Sequence, residues 1–172
     1  ENIYDMFNSL KYNEENAIKN LLNKCKKYKK THNDIYVEQI IKICKALLIL
    51  SKDNAFDKAR EVIIPIWEYY EKKDYWYLHD LKIINSILFI FKGQDAIYVT
   101  NQMIKNINRL PDDTSNKALK LSIRSNLTVL LMENGNWSNS LNLLHDNIAI
   151  YKLDMNYILL SVHLNRIAIC MY

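Results

Sequence analysis

Glycine and proline are nearly missing from this chain, with two of each in 172 residues. Sandwiches and barrels turn every few residues and draw on glycine and proline to do it, so a β-rich fold is excluded and an all-α chain is expected. The same scarcity removes the glycine-rich phosphate loop and the GxGxxG and GxSxG patterns, and HExxH is absent as well. Cys25, Cys44 and Cys170 are odd in number, lack CxxC spacing and lie inside apolar helical patterns, which suits a reducing compartment. No secretory start is visible, and no uncharged apolar stretch reaches about 18 residues. A cytoplasmic protein that does not enter membranes is therefore expected.

Chemistry-bearing clusters are also lacking. His79-Asp80 and His145-Asp146 resemble fragments of a metal-dependent hydrolase signature. Neighbours on a helix point about 100° apart, and no further histidines recur nearby, so no metal, cofactor or catalytic residue is expected. The net charge of +4 is modest. Lys24, Lys26, Lys27, Lys29 and Lys30 form a basic run, but acidic residues are spread through the rest of the chain, and the run reads as a solvated helix face. Direct contact with DNA is not expected from it. The chain opens on Glu1, with Ile3, Tyr4 and Phe7 already at helical spacing, and shows no stop signal from Asn165 to Tyr172. It reads as a single domain over residues 1–172, cut from a longer protein.

What the sequence has in abundance is apolar residues three and four apart, as in Leu119, Ile123, Leu127, Leu130 and Leu131. Residues able to cap a first turn stand at Asn13, Asn33, Asp53, Asp74, Asp95, Thr114, Asn136 and Asp154, giving eight helices after a short N-terminal one. Pro65 lacks an amide hydrogen, so a kink or a restart is expected there. The first helix of each pair opens near Asn13, Asp53, Asp95 and Asn136, a period of about 40 residues. The second helices overlay without gaps along Lys45–Leu50, Asn85–Ile90, Asn126–Leu131 and Asn165–Cys170, with Gly93 and Gly135 falling just after two of them, where a left-handed residue ends a helix. About four tandem helical hairpins are implied: an all-α, tetratricopeptide-like α-solenoid coiled into a right-handed superhelix with a concave groove.

Asn85, Asn126 and Asn165 occupy one place in the overlay, each among apolar neighbours. A carboxamide on an apolar stripe needs a partner. It can pair with both groups of an extended peptide backbone, or it can bridge adjacent helices. Arg124 lies two residues before Asn126, as His163 does before Asn165, and Lys82 shares a broad side with Asn85; these cations could anchor a carboxylate or join helices. Trp67, Tyr69, Tyr70, Tyr75, Trp76 and Tyr77 form an aromatic cluster expected mainly in the core.

The segment Ile66 to Phe91, IWEYYEKKDYWYLHDLKIINSILFIF, resembles the C-terminal regulatory domain of the Rgg/GadR/MutR family of regulators from low-GC Gram-positive bacteria. The matching positions are Trp76, Asp80, Leu81, Asn85, Leu88 and Phe91, with Asp80 standing where the family more often has Glu. The resemblance implies a short signalling peptide held in the groove as in quorum sensing, a homodimer, and DNA contact only through an N-terminal helix-turn-helix domain outside this sequence. A peptide-sensing regulatory domain is the first expectation, with Asn85, Asn126, Asn165, Arg124 and Lys82 as its peptide contacts. The alternative is a constitutive scaffold that docks a partner protein without switching.

Overall fold

Each apolar stripe gives its segment one face that must leave water, and helices packed side by side bury such faces while satisfying their own backbones. The computed structural model describes residues 2–10, 14–53, 55–111, 114–153 and 157–171. Among them are nine α-helices, one 3-10 turn (Leu88–Ile90) and no strand. The helices are α1 (Ile3–Asn8), α2 (Glu15–Lys29), α3 (Ile35–Asp53), α4 (Phe56–Glu71), α5 (Leu78–Ser86), α6 (Gly93–Ile107), α7 (Thr114–Glu133), α8 (Trp137–Leu153) and α9 (Tyr157–Met171). The all-α class and the short first helix are as expected. No helix among the described residues is long and apolar enough to cross a membrane.

The chain divides into two units, residues 1–74 and 75–172. In the first, α3 packs against both α2 and α4, and its sequence shows why. Val37, Ile40, Ile41, Ile43, Cys44, Ala46 and Leu47 are all buried, a band too broad for a single neighbour, whereas α2 buries one stripe of Ile18, Leu21, Leu22 and Cys25. On α4 the buried stripe is Ala59, Ile63, Ile66 and Tyr70, and the Tyr70 hydroxyl donates to Gln39 Oε1 at 2.6 Å, satisfying two buried polar groups at once. Burial pushes the Cys25 thiol up to about 11 and the Cys44 thiol up to about 12, so both stay protonated and unreactive at neutral pH.

In the second unit α7 is central, packing on α5, the 3-10 turn, α6 and α8, while α9 packs on α8. Ile123, Leu127, Leu130 and Leu131 of α7 are buried, together with Val99, Met103 and Ile107 of α6 and Leu143 and Leu144 of α8. The boundary between the units falls between α4 and α5, the members of the second expected hairpin. The other three expected pairs, α2/α3, α6/α7 and α8/α9, each pack within a unit.

Several helix starts lie away from their sequence markers. Asp34, not Asn33, caps α3, its Oδ1 accepting from the Tyr36 and Val37 amides at 2.9 and 3.2 Å. Asp53 ends α3 instead of opening α4, which begins at Phe56. After Asp74 the chain stays extended to Tyr77, whose amide donates to Asp80 Oδ2 at 2.9 Å, so the acid that organises the start of α5 sits inside its first turn. Asp95 likewise lies in the first turn of α6, while Thr114 opens α7 and Asn136 directly precedes α8. Asn13 and Asp154 lie outside the described residues. The restart considered at Pro65 does not occur. Pro65 is exposed, leaving its missing bond accessible to water, while buried Ile63 and Ile66 on either side hold α4 to the core.

Both glycines take the expected left-handed backbone, at φ of 55° for Gly93 and 69° for Gly135. Gly135 closes α7 with a paired bond pattern: its own amide reaches the Met132 carbonyl and the Asn136 amide reaches the Leu131 carbonyl, both at 2.9 Å.

Candidate functional site

The features singled out in the sequence converge on α5, α7, α8 and α9 of the second unit. Asn85 is the next-to-last residue of α5, and Asn126 lies in the middle of α7. They meet: Asn126 Nδ2 donates to Asn85 Oδ1 at 3.1 Å. The amide that each apolar stripe had to accommodate is thus met by the amide of the other helix. Asn126 is exposed and Asn85 half-buried, so the bridge is open to solvent. One hydrogen of Asn126 and one lone pair of Asn85 are used. Asn85 Nδ2 with two hydrogens and Asn126 Oδ1 with two lone pairs remain, a donor and an acceptor held side by side. Exchanging the amide ends would reverse the polarity without removing the complementarity.

The cations near this pair behave differently. Arg124 Nε donates to Asn147 Oδ1 at 2.6 Å, and Asn147 Nδ2 returns a bond to the Arg124 carbonyl at 3.4 Å, clasping α7 to α8. Arg124 therefore takes the helix-joining role, and burial lowers its pKa against the opposing attraction of Asp146. A guanidinium keeps its charge even so. Lys82 is half-buried on the same face of α5 as Asn85. Asn165 is exposed on α9, and the amide bridge does not extend to it. The α7–α9 contact is made instead by Arg166, whose guanidinium donates to the Ser125 carbonyl, Ser125 Oγ and Thr128 Oγ1, each at 3.0 Å. Ser125 and Arg166 are 41 residues apart, as are Asn85 and Asn126. That register sets Asn165 level with Arg124 and not with Asn126, because the overlay advanced the last helix by only 39 residues.

Between α8 and α9 the polar chain continues through fully buried Asn147, Tyr151 and His163. His163 Nε2 lies 3.4 Å from both Asn147 Nδ2 and the Tyr151 hydroxyl, and the two rings meet edge to face. Asn147 Oδ1 is already bonded to Arg124, which leaves its Nδ2 facing the His163 ring. Sequence reasoning noticed His163 but not Asn147, Tyr151 or Arg166. The signal was there for Asn147, which interrupts the buried stripe of Leu143, Leu144 and Tyr151 as Asn85 interrupts its own.

Of the six residues that carry the family resemblance, five are occupied in building the fold. Trp76, Leu81, Leu88 and Phe91 are core residues, and Asp80 is fully buried on the Tyr77 amide. Asn85 alone among the six is solvent-accessible. Compared with protein-family models, curated proteins and solved structures, the chain matches none.

Replacing Asn147 by Ala strips a buried clasp from both Arg124 and His163 and is expected to cost about 2 to 3 kcal/mol. Urea unfolding followed by helical ellipticity measures this as a lower midpoint at unchanged slope; a loss under about 0.5 kcal/mol would show that the clasp does not hold α7, α8 and α9 together.

Proposed function

We propose that this chain is the peptide-binding and dimerisation part of a transcriptional regulator of the kind that the segment Ile66 to Phe91 resembles. The observation that carries the reading is the Asn85–Asn126 bridge: two carboxamides from neighbouring repeats, fixed relative to one another, with a donor and an acceptor left toward water. An extended peptide presents the matching acceptor and donor at every residue, whatever its side chains, so such a pair grips backbone and leaves sequence preference to its surroundings. The remaining positions of the resemblance serve the core, which leaves Asn85 to meet a ligand. Lys82, on the same face of α5, is placed to draw in an acidic side chain or terminal carboxylate. Peptide bound across α5 and α7 would favour one arrangement of the repeats and pass that preference to a DNA-binding domain outside this sequence.

A surface for a second copy is present on α9. Tyr157, Ile158, Leu164, Ile169 and Met171 are all more than half exposed, whereas its polar His163 and Arg166 turn inward to α7 and α8. Apolar side chains out and polar ones in leave a stripe able to pack against a further helix, which we assign to a second copy.

Short peptides of about eight residues, selected from a random pool on the immobilised chain, are expected to bind saturably, and Asn126→Ala to weaken them about tenfold, or roughly 1.4 kcal/mol, with ellipticity unchanged. Affinity equal to that of the parent would sink the backbone grip. For the dimer, sedimentation equilibrium should give a dimer that Leu164→Asp with Ile169→Asp turns into a folded monomer. A parent chain that is monomeric throughout would refute it.

A further inference from the structure

The basic run of α2 does more than face water. Lys24, Lys27, Tyr28 and Thr31 fall at the spacing that puts them on one side of the helix end, and with Lys30, Asn2 and Ile3 they line an open cavity of about 650 Å³ beside α1. That volume lies within the range of about 300 to 1,000 Å³ typical of small-molecule sites. Its walls are apolar: Ile3 is buried, the Tyr28 ring is stacked on His32 at 4.1 Å, and lysine stems are hydrocarbon up to the ammonium group. A second cavity of about 360 Å³ shares Lys30 and is lined by Lys26, Lys29, Ile41 and Lys45. Six lysines therefore line the two spaces. Glu38 reaches Lys29 at 3.2 Å, outside the larger cavity.

We propose that the cavity between α1 and the last turns of α2 binds a single-tailed anionic amphiphile, a fatty carboxylate or alkyl phosphate, with its tail on Ile3 and Tyr28 and its head among Lys24, Lys27 and Lys30. Charge complementarity selects an anion, and the apolar floor selects the tail. A nucleic acid or an acidic protein surface would meet the ammonium groups and leave the floor unfilled. This site belongs to the first unit and stands apart from the asparagine bridge, so the two assignments succeed or fail separately.

The test is calorimetric titration of the whole chain with sodium laurate below its micelle concentration, beside dodecyl phosphate, dodecyltrimethylammonium and acetate. Laurate is expected to saturate one site with ellipticity unchanged, dodecyl phosphate to compete with it, and the cationic amphiphile and acetate to give no saturable heat. Lys27→Met with Lys30→Met keeps the apolar stems and should weaken laurate about tenfold, as should raised salt in part, while Asn126→Ala leaves it unchanged. Equal binding of the two oppositely charged amphiphiles would overturn the proposal, as would a double variant that binds laurate like the parent. Uptake of many laurate molecules with loss of helix, or sensitivity to Asn126→Ala, would overturn it too.

Discussion

Within residues 75–172, groups 41 positions apart bond to one another three times over, and the arrangement of that unit depends on this register. Asn126 bonds Asn85, Asn134 Oδ1 accepts from the Gly93 amide at 2.7 Å, and Arg166 bonds Ser125. Asn134 adds a second link, donating to the Phe91 carbonyl at 3.4 Å, so the end of α7 is tied to the chain where α5 gives way to α6. A slip of one residue would break all three contacts at once, in addition to any loss of apolar burial. The register is therefore fixed by polar matching on top of apolar burial.

The same logic separates residues used by the fold from residues left over. Arg124, Asn147, Tyr151 and His163 form a connected polar chain through α7, α8 and α9, and Arg166 separately ties α9 to α7. The Nε of Arg124 is committed to that chain, which holds α7 to α8. The Asn85–Asn126 pair is the contrast. It faces water, and the helices on either side set its orientation.

Much of this was legible in the sequence, and the rest was hidden for definable reasons. Stripes such as Ile18, Leu21, Leu22 and Cys25 state their helices outright, and Gly135 marks a helix end because a left-handed residue costs glycine nothing, whereas Gly93 opens α6 instead of closing the helix before it. Caps were less certain because neighbouring acceptors compete: Asn33 and Asp34 are equally able to cap, and only the backbone path selects Asp34. Pro65 warned of a break that the burial of Ile63 and Ile66 prevents. For the site, the three asparagines could be found by laying repeats over one another, but whether Asn85 meets a ligand or Asn126 depends on the offset between two helices. That offset is set by packing and not by either segment alone. Asn165 is offset from the gap-free overlay for the same reason, since the Ser125–Arg166 contact spans 41 residues where the overlay advanced the last helix by 39.

The central claim is that Asn85 and Asn126 act as one unit on a peptide backbone. A double-mutant cycle on peptide affinity tests it most directly, comparing Asn85→Ala, Asn126→Ala and both together by titration of one selected peptide. If the bridge orients both amides, removing either disables the other. The double variant should then bind no more than about twofold worse than either single one, a coupling of about 1 kcal/mol. Losses that simply add would contradict the account, showing two independent contacts and no shared grip.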